Sequence, residues 1–196
     1  LGRTARFHGW RFGIILCAAL LVTAIGATNA SAAKTICLGT TQPASCDGNT
    51  VANLTAAVQA VDASQVNTIY IGSGNYPTAS GADFGAADVR LIGVGGSPAV
   101  LTMYSPTPAA NALNMLNPNS KVSRIWVELP SGSAGLTGIR GVGGQALADV
   151  TVTGSGVTGA IGIDLSGGRQ LIERASVSLS GSGNTGVRLR AAHGVD

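Results

Sequence analysis

From residue 120 onward, polar and apolar positions alternate in short runs that repeat. Arg124-Ile125-Trp126-Val127, Asp149-Val150-Thr151-Val152 and Arg174-Ala175-Ser176-Val177 follow one another in a single phase, at a fixed interval of about 25 residues. A second series, Gly138-Ile139-Arg140, Gly162-Ile163-Asp164 and Gly186-Val187-Arg188, recurs at an interval of about 24 residues. Alternation with period two marks half-buried strands, and a fixed period of about two dozen residues marks a solenoid. Each repeat therefore carries at least two strands. Ile125, Val127, Val150, Val152, Ala175 and Val177 fall on one strand face, and Arg124, Trp126, Glu128, Asp149, Thr151 and Arg174 on the other. One coil cannot bury its own apolar face, but coils stacked about 4.8 Å apart pile like positions into columns and pair every inner strand. The predicted fold is all-β, a right-handed parallel β-helix whose coils have the lengths of those two intervals.

Stacking also orders the outward charges. Arg124, Asp149 and Arg174 alternate in sign from coil to coil, and Arg140, Asp164 and Arg188 do so again. Opposite charges on neighbouring strands favour stacking by a few tenths to about 1 kcal/mol each when exposed, so both ladders are expected to fix register. A polar binding face is the alternative role. Between the strands, Gly154-Ser155-Gly156, Ser166-Gly167-Gly168 and Ser180-Gly181-Ser182-Gly183 read as corners. Gly93 to Gly96 do not make a phosphate cradle, because no amphipathic helix and no Lys-Ser/Thr pair follow.

Ahead of the repeats, Asn49 or Thr50 can cap a short helix with Leu54, Val58 and Val61 on one stripe, suited to covering the open end of a solenoid. The order Leu54-Thr55-Ala56-Ala57-Val58, polar loop, Ile69-Tyr70-Ile71, Gly74-Asn75-Tyr76, then Val89-Arg90-Leu91-Ile92-Gly93-Val94, resembles the N-terminal part of pectin-lyase-like parallel β-helix proteins. The resemblance covers about residues 50 to 196 in pattern. It implies the fold. It does not choose an activity, since such proteins include polysaccharide lyases, glycoside hydrolases, esterases and adhesins. The carboxylate clusters those enzymes use for Ca²⁺ binding or acid–base catalysis do not stand out here.

Composition adds a targeting segment. Arg3, Arg6 and Arg11 precede an apolar run from Phe12 to Ile25, and the small residues Ala27 to Ala33 follow, which is the order of a secretory signal peptide. The run is short for a spanning helix, so cleavage near Ala32 or Ala33 is expected rather than a retained anchor. Cys17, behind Leu16, is read as signal-peptide apolar surface. The expected organisation is a signal peptide at 1–33, an N-terminal loop with a capping helix at 34–64, and coils at 65–196. Removing residues 1–33 takes away three of the 12 basic residues and none of the nine acidic ones, so the remainder is electrically balanced. A nucleic-acid partner is not expected, nor a membrane partner after cleavage. Cys37 and Cys46 then form an even pair on a polar loop, for which a disulfide is expected in an oxidising compartment; with no His or further Cys nearby, no metal is expected.

Other chemistry-bearing residues read modestly. Asp83, Asp88 and Arg90 are expected as solvated loop charge, Trp126 as outward loop cover or a sugar-stacking platform, and His193 as a surface side chain. Leu1 at the first position and the halt at Asp196 in mid-repeat predict further sequence beyond that given. No cofactor is expected, no catalytic residue is identified, and the oligomeric state is left open. The function expected is that of a secreted or surface solenoid that binds polysaccharide or cell-surface glycan, or simply presents a stable face. The alternative is the N-terminal portion of a pectate-lyase-like or glycoside-hydrolase-like enzyme.

Overall fold

The structure, a computed structural model, describes residues 33–39, 43, 46, 50–95, 99–103 and 110–190. The expected signal peptide up to Ala32, Asn49, Gly96, His193 and Asp196 lie outside the described residues. The described part opens with β1 (Lys34–Leu38), β2 (Thr50–Val51) and helix α1 (Leu54–Gln59). Strands then come in threes. The first coil holds β3 (Val66–Ile71), β4 (Gly74–Thr78) and β5 (Ala82–Asp83), and the second β6 (Asp88–Gly93), β7 (Ala99–Met103) and β8 (Asn111–Met115). The third holds β9 (Lys121–Ser123), β10 (Ile125–Leu129) and β11 (Thr137–Val142). The fourth holds β12 (Ala146–Ala148), β13 (Thr151–Gly154) and β14 (Ile161–Ser166), and the fifth β15 (Leu171–Glu173), β16 (Ser176–Leu179) and β17 (Thr185–Arg190).

From β3 onward every third strand pairs in parallel, which makes a parallel β-solenoid with three sheets. Sheet A runs β15-β12-β9-β6-β3-β1-β2, sheet B runs β16-β13-β10-β7-β4, and sheet C runs β17-β14-β11-β8-β5. In sheet B, Val127 lies in register with Val152, and Val152 with Val177. The apolar column foreseen from the recurrence in the sequence is therefore a physical stack. Sheet A supplies a second, from Ile36 and Ile69 through Leu91, Val122 and Leu147 to Ile172. Sheet C supplies Leu113, Ile139, Ile163 and Val187. Ile69, Leu91, Val127, Ile139, Leu147, Val152 and Ile163 are fully buried, and each such side chain contributes about 1.5–3 kcal/mol by leaving water. Size alternates within some columns: where Gly154 follows Leu129, Leu179 of the next coil packs over the glycine.

The period is less regular than the sequence suggests. The two predicted intervals hold from β9 onward, as in the pairs Val122 with Leu147 and Ile139 with Ile163. Earlier, the step from Val66 to its partner Asp88 is shorter, and the step from Arg90 to its partner Lys121 is longer. Strand pairing fixes only the strand segments, so corner loops change length without disturbing register. A second difference concerns Arg124, Asp149 and Arg174. They do not lie within outward strand faces but at the bend from sheet A to sheet B, in the left-handed region with φ of 57°, 54° and 49°. A residue in that conformation between two extended ones turns the chain sharply, at a cost of about 1–2 kcal/mol for a side chain of this kind. The next coil holds the bend: the Arg124 N–H donates to the Ala148 carbonyl and the Asp149 N–H to the Glu173 carbonyl, both at 3.0 Å.

The N-terminal stretch also differs from a loop. Lys34–Leu38 form β1, paired along its length with β3. Thr50, considered as a helix cap, pairs instead with Cys37 in β2. The cap is Asn53, whose side-chain oxygen accepts from the Ala56 N–H at 2.9 Å. Leu54 and Ala57 are buried, while Val58 and Val61 pack partly buried against the core. A disulfide joins Cys37 to Cys46, and both are buried. The nine-residue separation makes a small loop, so the double variant Cys37→Ala, Cys46→Ala is expected to lose about 2 kcal/mol of unfolding free energy. Urea unfolding under non-reducing conditions reads this; an unchanged midpoint would show that β1 and β2 are held by pairing alone.

Candidate functional site: the outer faces of sheets B and C

Sheet C carries a polar column outside its apolar one. Asp83, Asn114, Arg140, Asp164 and Arg188 stand in successive coils in direct register. At its foot the Asp83 carboxylate accepts from the Asn114 amide at 2.8 Å and from the Gly85 N–H at 2.9 Å. Asp83 is thus solvated, as expected, but as the exposed residue of β5 with defined partners and not as part of a loop. At its head, Arg188 grips Asp164 through Nε and Nη2 at 3.0 and 2.6 Å. Arg190, two residues along the same strand face, grips the same carboxylate at 3.2 and 2.9 Å. The two guanidiniums leave Asp164 only 3% exposed. Their hydrogen bonds and charges, Arg188 first, hold its carboxyl below the usual carboxylate range against the opposing effect of burial. Among the described residues no ion pair joins Arg140 to Asp164, so the column is clamped from above only. Arg190 was legible in the alternation Val187-Arg188-Leu189-Arg190, where it shares a face with Arg188.

The other ladder is likewise half made. Arg174 contacts Asp149 through two hydrogen bonds, of 2.5 and 2.9 Å, and this guanidinium holds the Asp149 carboxyl below its ordinary range. Arg124 instead donates to the Gly95 carbonyl. Both ladders therefore serve chiefly to tie coils together.

The outer face of sheet B offers a different surface. Its strands project two columns, Trp126-Thr151-Ser176 and Glu128-Thr153-Ser178. The second column, with the corners that follow it, lines an open groove of about 340 Å³ between Glu128, Leu129 and Ser131 of one coil, Thr153, Gly154 and Ser155 of the next, and Ser178 and Ser180 of the third. Among the described residues, five that carry hydroxyls and one that carries a carboxylate line it. Half-buried Trp126 borders the groove by donating its indole N–H to Thr153 Oγ1 at 2.7 Å, which leaves the threonine hydroxyl proton free to point outward. Trp126 is therefore tied to the groove wall. Ser180 Oγ accepts from the Gly156 N–H at 2.9 Å and is fixed in the same way.

Such a wall can donate and accept hydrogen bonds at regular spacing. Among the described residues Glu128 is the one titratable group lining it, and two-carboxylate hydrolysis needs a partner within about 5–10 Å. Among the described residues no group of three or more His, Cys, Asp or Glu side chains is placed to hold a metal ion. Sequence reasoning marked Trp126 and Glu128 as outward but missed the groove, since its serines sit in Gly/Ser stretches that read only as turns. No protein-family profile, curated protein sequence or solved structure matches the chain.

Proposed function

We propose that this chain is an exported right-handed parallel β-helix of pectin-lyase-like type, capped by α1, that binds glycan without cleaving it. The groove on sheet B carries the reading: five hydroxyls and one carboxylate, drawn from three successive coils, beside a tethered tryptophan. Sugar hydroxyls are both donors and acceptors, and Ser and Thr hydroxyls match them in both roles, while an indole offers an apolar face to a sugar ring. The N-terminal sequence, with its basic start, apolar run and small-residue stretch, supports export, which would place the groove among extracellular or cell-surface polysaccharides.

The test combines retention with turnover. The chain is incubated with an immobilised panel of plant and bacterial polysaccharides, and bound protein, new reducing ends and unsaturated-product absorbance are read from the same wells. Retention without product is expected. Product release would favour the enzyme reading, with this chain as the N-terminal portion of a polysaccharide-degrading protein. Failure of any glycan to retain the chain would overturn the proposal.

A further inference from the structure

Resting on the glycan-binding reading, we infer that the groove on sheet B selects an N-acetylated amino sugar, with Thr153 and Trp126 together holding its acetamido group. Two of the hydroxyls that line the groove are fixed by N–H groups of the protein. Thr153 Oγ1 accepts from the Trp126 indole at 2.7 Å, and Ser180 Oγ accepts from the Gly156 N–H at 2.9 Å. Among the described residues neither hydroxyl donates to a protein acceptor, so each O–H is left as a donor for a ligand. An N–H feeding the same oxygen polarises that O–H and strengthens the bond it donates. The Ser131, Ser155 and Ser178 hydroxyls have no such N–H among the described residues and turn to either role. Glu128 is engaged in an interaction of its own. The oriented hydroxyls of the groove are therefore two donors, and they call for two acceptors.

The surroundings choose among acceptors. A carboxylate would take both donors, but among the described residues no Lys, Arg or His lines the groove, so its charge would lose water without a counter-charge. A plain sugar hydroxyl accepts from Thr153, yet its own proton then needs a further acceptor. A carbonyl has no such need. Beside the Thr153 donor stands the half-buried indole of Trp126, one coil earlier, anchored by its own N–H. A donor next to an anchored aromatic surface matches an acetamido group, whose oxygen accepts while its methyl leaves water against the ring. Ser180, in the coil after Thr153, then donates to another oxygen of the ligand.

Calorimetric titration of the full chain with the β-1,4-linked trimers of N-acetylglucosamine and of glucose, and with trigalacturonate, tests this. The N-acetylglucosamine trimer is expected to bind about fourfold more tightly than the glucose trimer, the worth of one methyl group leaving water, and trigalacturonate more weakly than the acetylated trimer. Thr153→Val should weaken the N-acetylglucosamine trimer about fivefold, the worth of one hydrogen bond, and bring it close to the glucose trimer. Ser180→Ala should weaken both neutral trimers alike, about fivefold, and keep the preference. Urea midpoints identify a variant that fails to fold, and the comparison of ligands on the unaltered chain decides without it. A glucose trimer or trigalacturonate binding as tightly as the N-acetylglucosamine trimer would overturn the inference and leave the glycan-binding reading standing. So would an acetyl preference that survives Thr153→Val in a folded chain. Silence from all three ligands would overturn it too, and retention on the polysaccharide panel then decides separately whether the reading beneath it stands.

Discussion

Gly93→Ala is expected to be the most damaging single-methyl change in the described part of the chain that leaves the backbone conformation allowed. Gly93 ends β6 beneath the bend at Arg124, and a Cβ built there would lie 2.0 Å from the Arg124 carbonyl oxygen and 2.9 Å from its carbonyl carbon. The clash is with backbone, so no rotamer relieves it. Nor can the bend retreat, since Arg124 is already in the left-handed region, its N–H is bonded to the Ala148 carbonyl, and its side chain reaches the Gly95 carbonyl. Overpacking against a fixed neighbour puts the loss at about 3–4 kcal/mol, or a fall of about 10 °C in the thermal midpoint. Gly132→Ala is the control: it has φ of +76° but nothing within 4 Å, so only the conformational cost of about 1 kcal/mol remains. Were Gly93→Ala to cost no more than Gly132→Ala, the bend would not be seated over β6.

The same bend shows where the sequence stopped being legible. The columns Val127-Val152-Val177 and Ile139-Ile163-Val187 could be read directly, because a solenoid converts a sequence interval into a vertical contact. The sheet A to sheet B corner could not. Apolar–polar alternation continues through Arg124, Asp149 and Arg174, and no Gly, Asn or Pro marks the turn, so one continuous strand and two strands with a bend give the same pattern. Loop length hid the early coils, where Val66 reaches its partner Asp88 by a shorter step and Arg90 its partner Lys121 by a longer one. The helix cap moved from Thr50 to Asn53 because Thr50 is drawn into β2 beside disulfide-bonded Cys37, a long-range constraint outweighing a local preference. The groove was the least legible feature, since it belongs to no segment: three coils each supply hydroxyls that are unremarkable alone.

The charge ladder on sheet C makes the second prediction, one that depends on pH. Asp164→Asn keeps the shape of the side chain and removes its charge, leaving Arg188 and Arg190 facing an amide that cannot accept two bidentate grips, with Arg140 one coil below. Because the carboxylate is almost wholly buried while its partners are about half exposed, the expected loss at neutral pH is about 2–3 kcal/mol, at the lower end for a broken buried pair. The lowered pKa of Asp164 means that its contribution is complete above the unfolded-state value of about 3.9 and disappears as pH falls through the lower folded-state value. Below about pH 4 the wild-type chain therefore loses this stability, whereas the variant has none of it to lose. Asp149, also held low by its arginine, titrates in both proteins and cancels from their difference. Urea unfolding of the two proteins from pH 7 down to pH 2 should show stability curves that run parallel above about pH 5 and converge below about pH 4. A gap that stayed constant through the acid range would mean that Asp164 acts through shape alone and that the arginine clamp contributes nothing to holding the last two coils together.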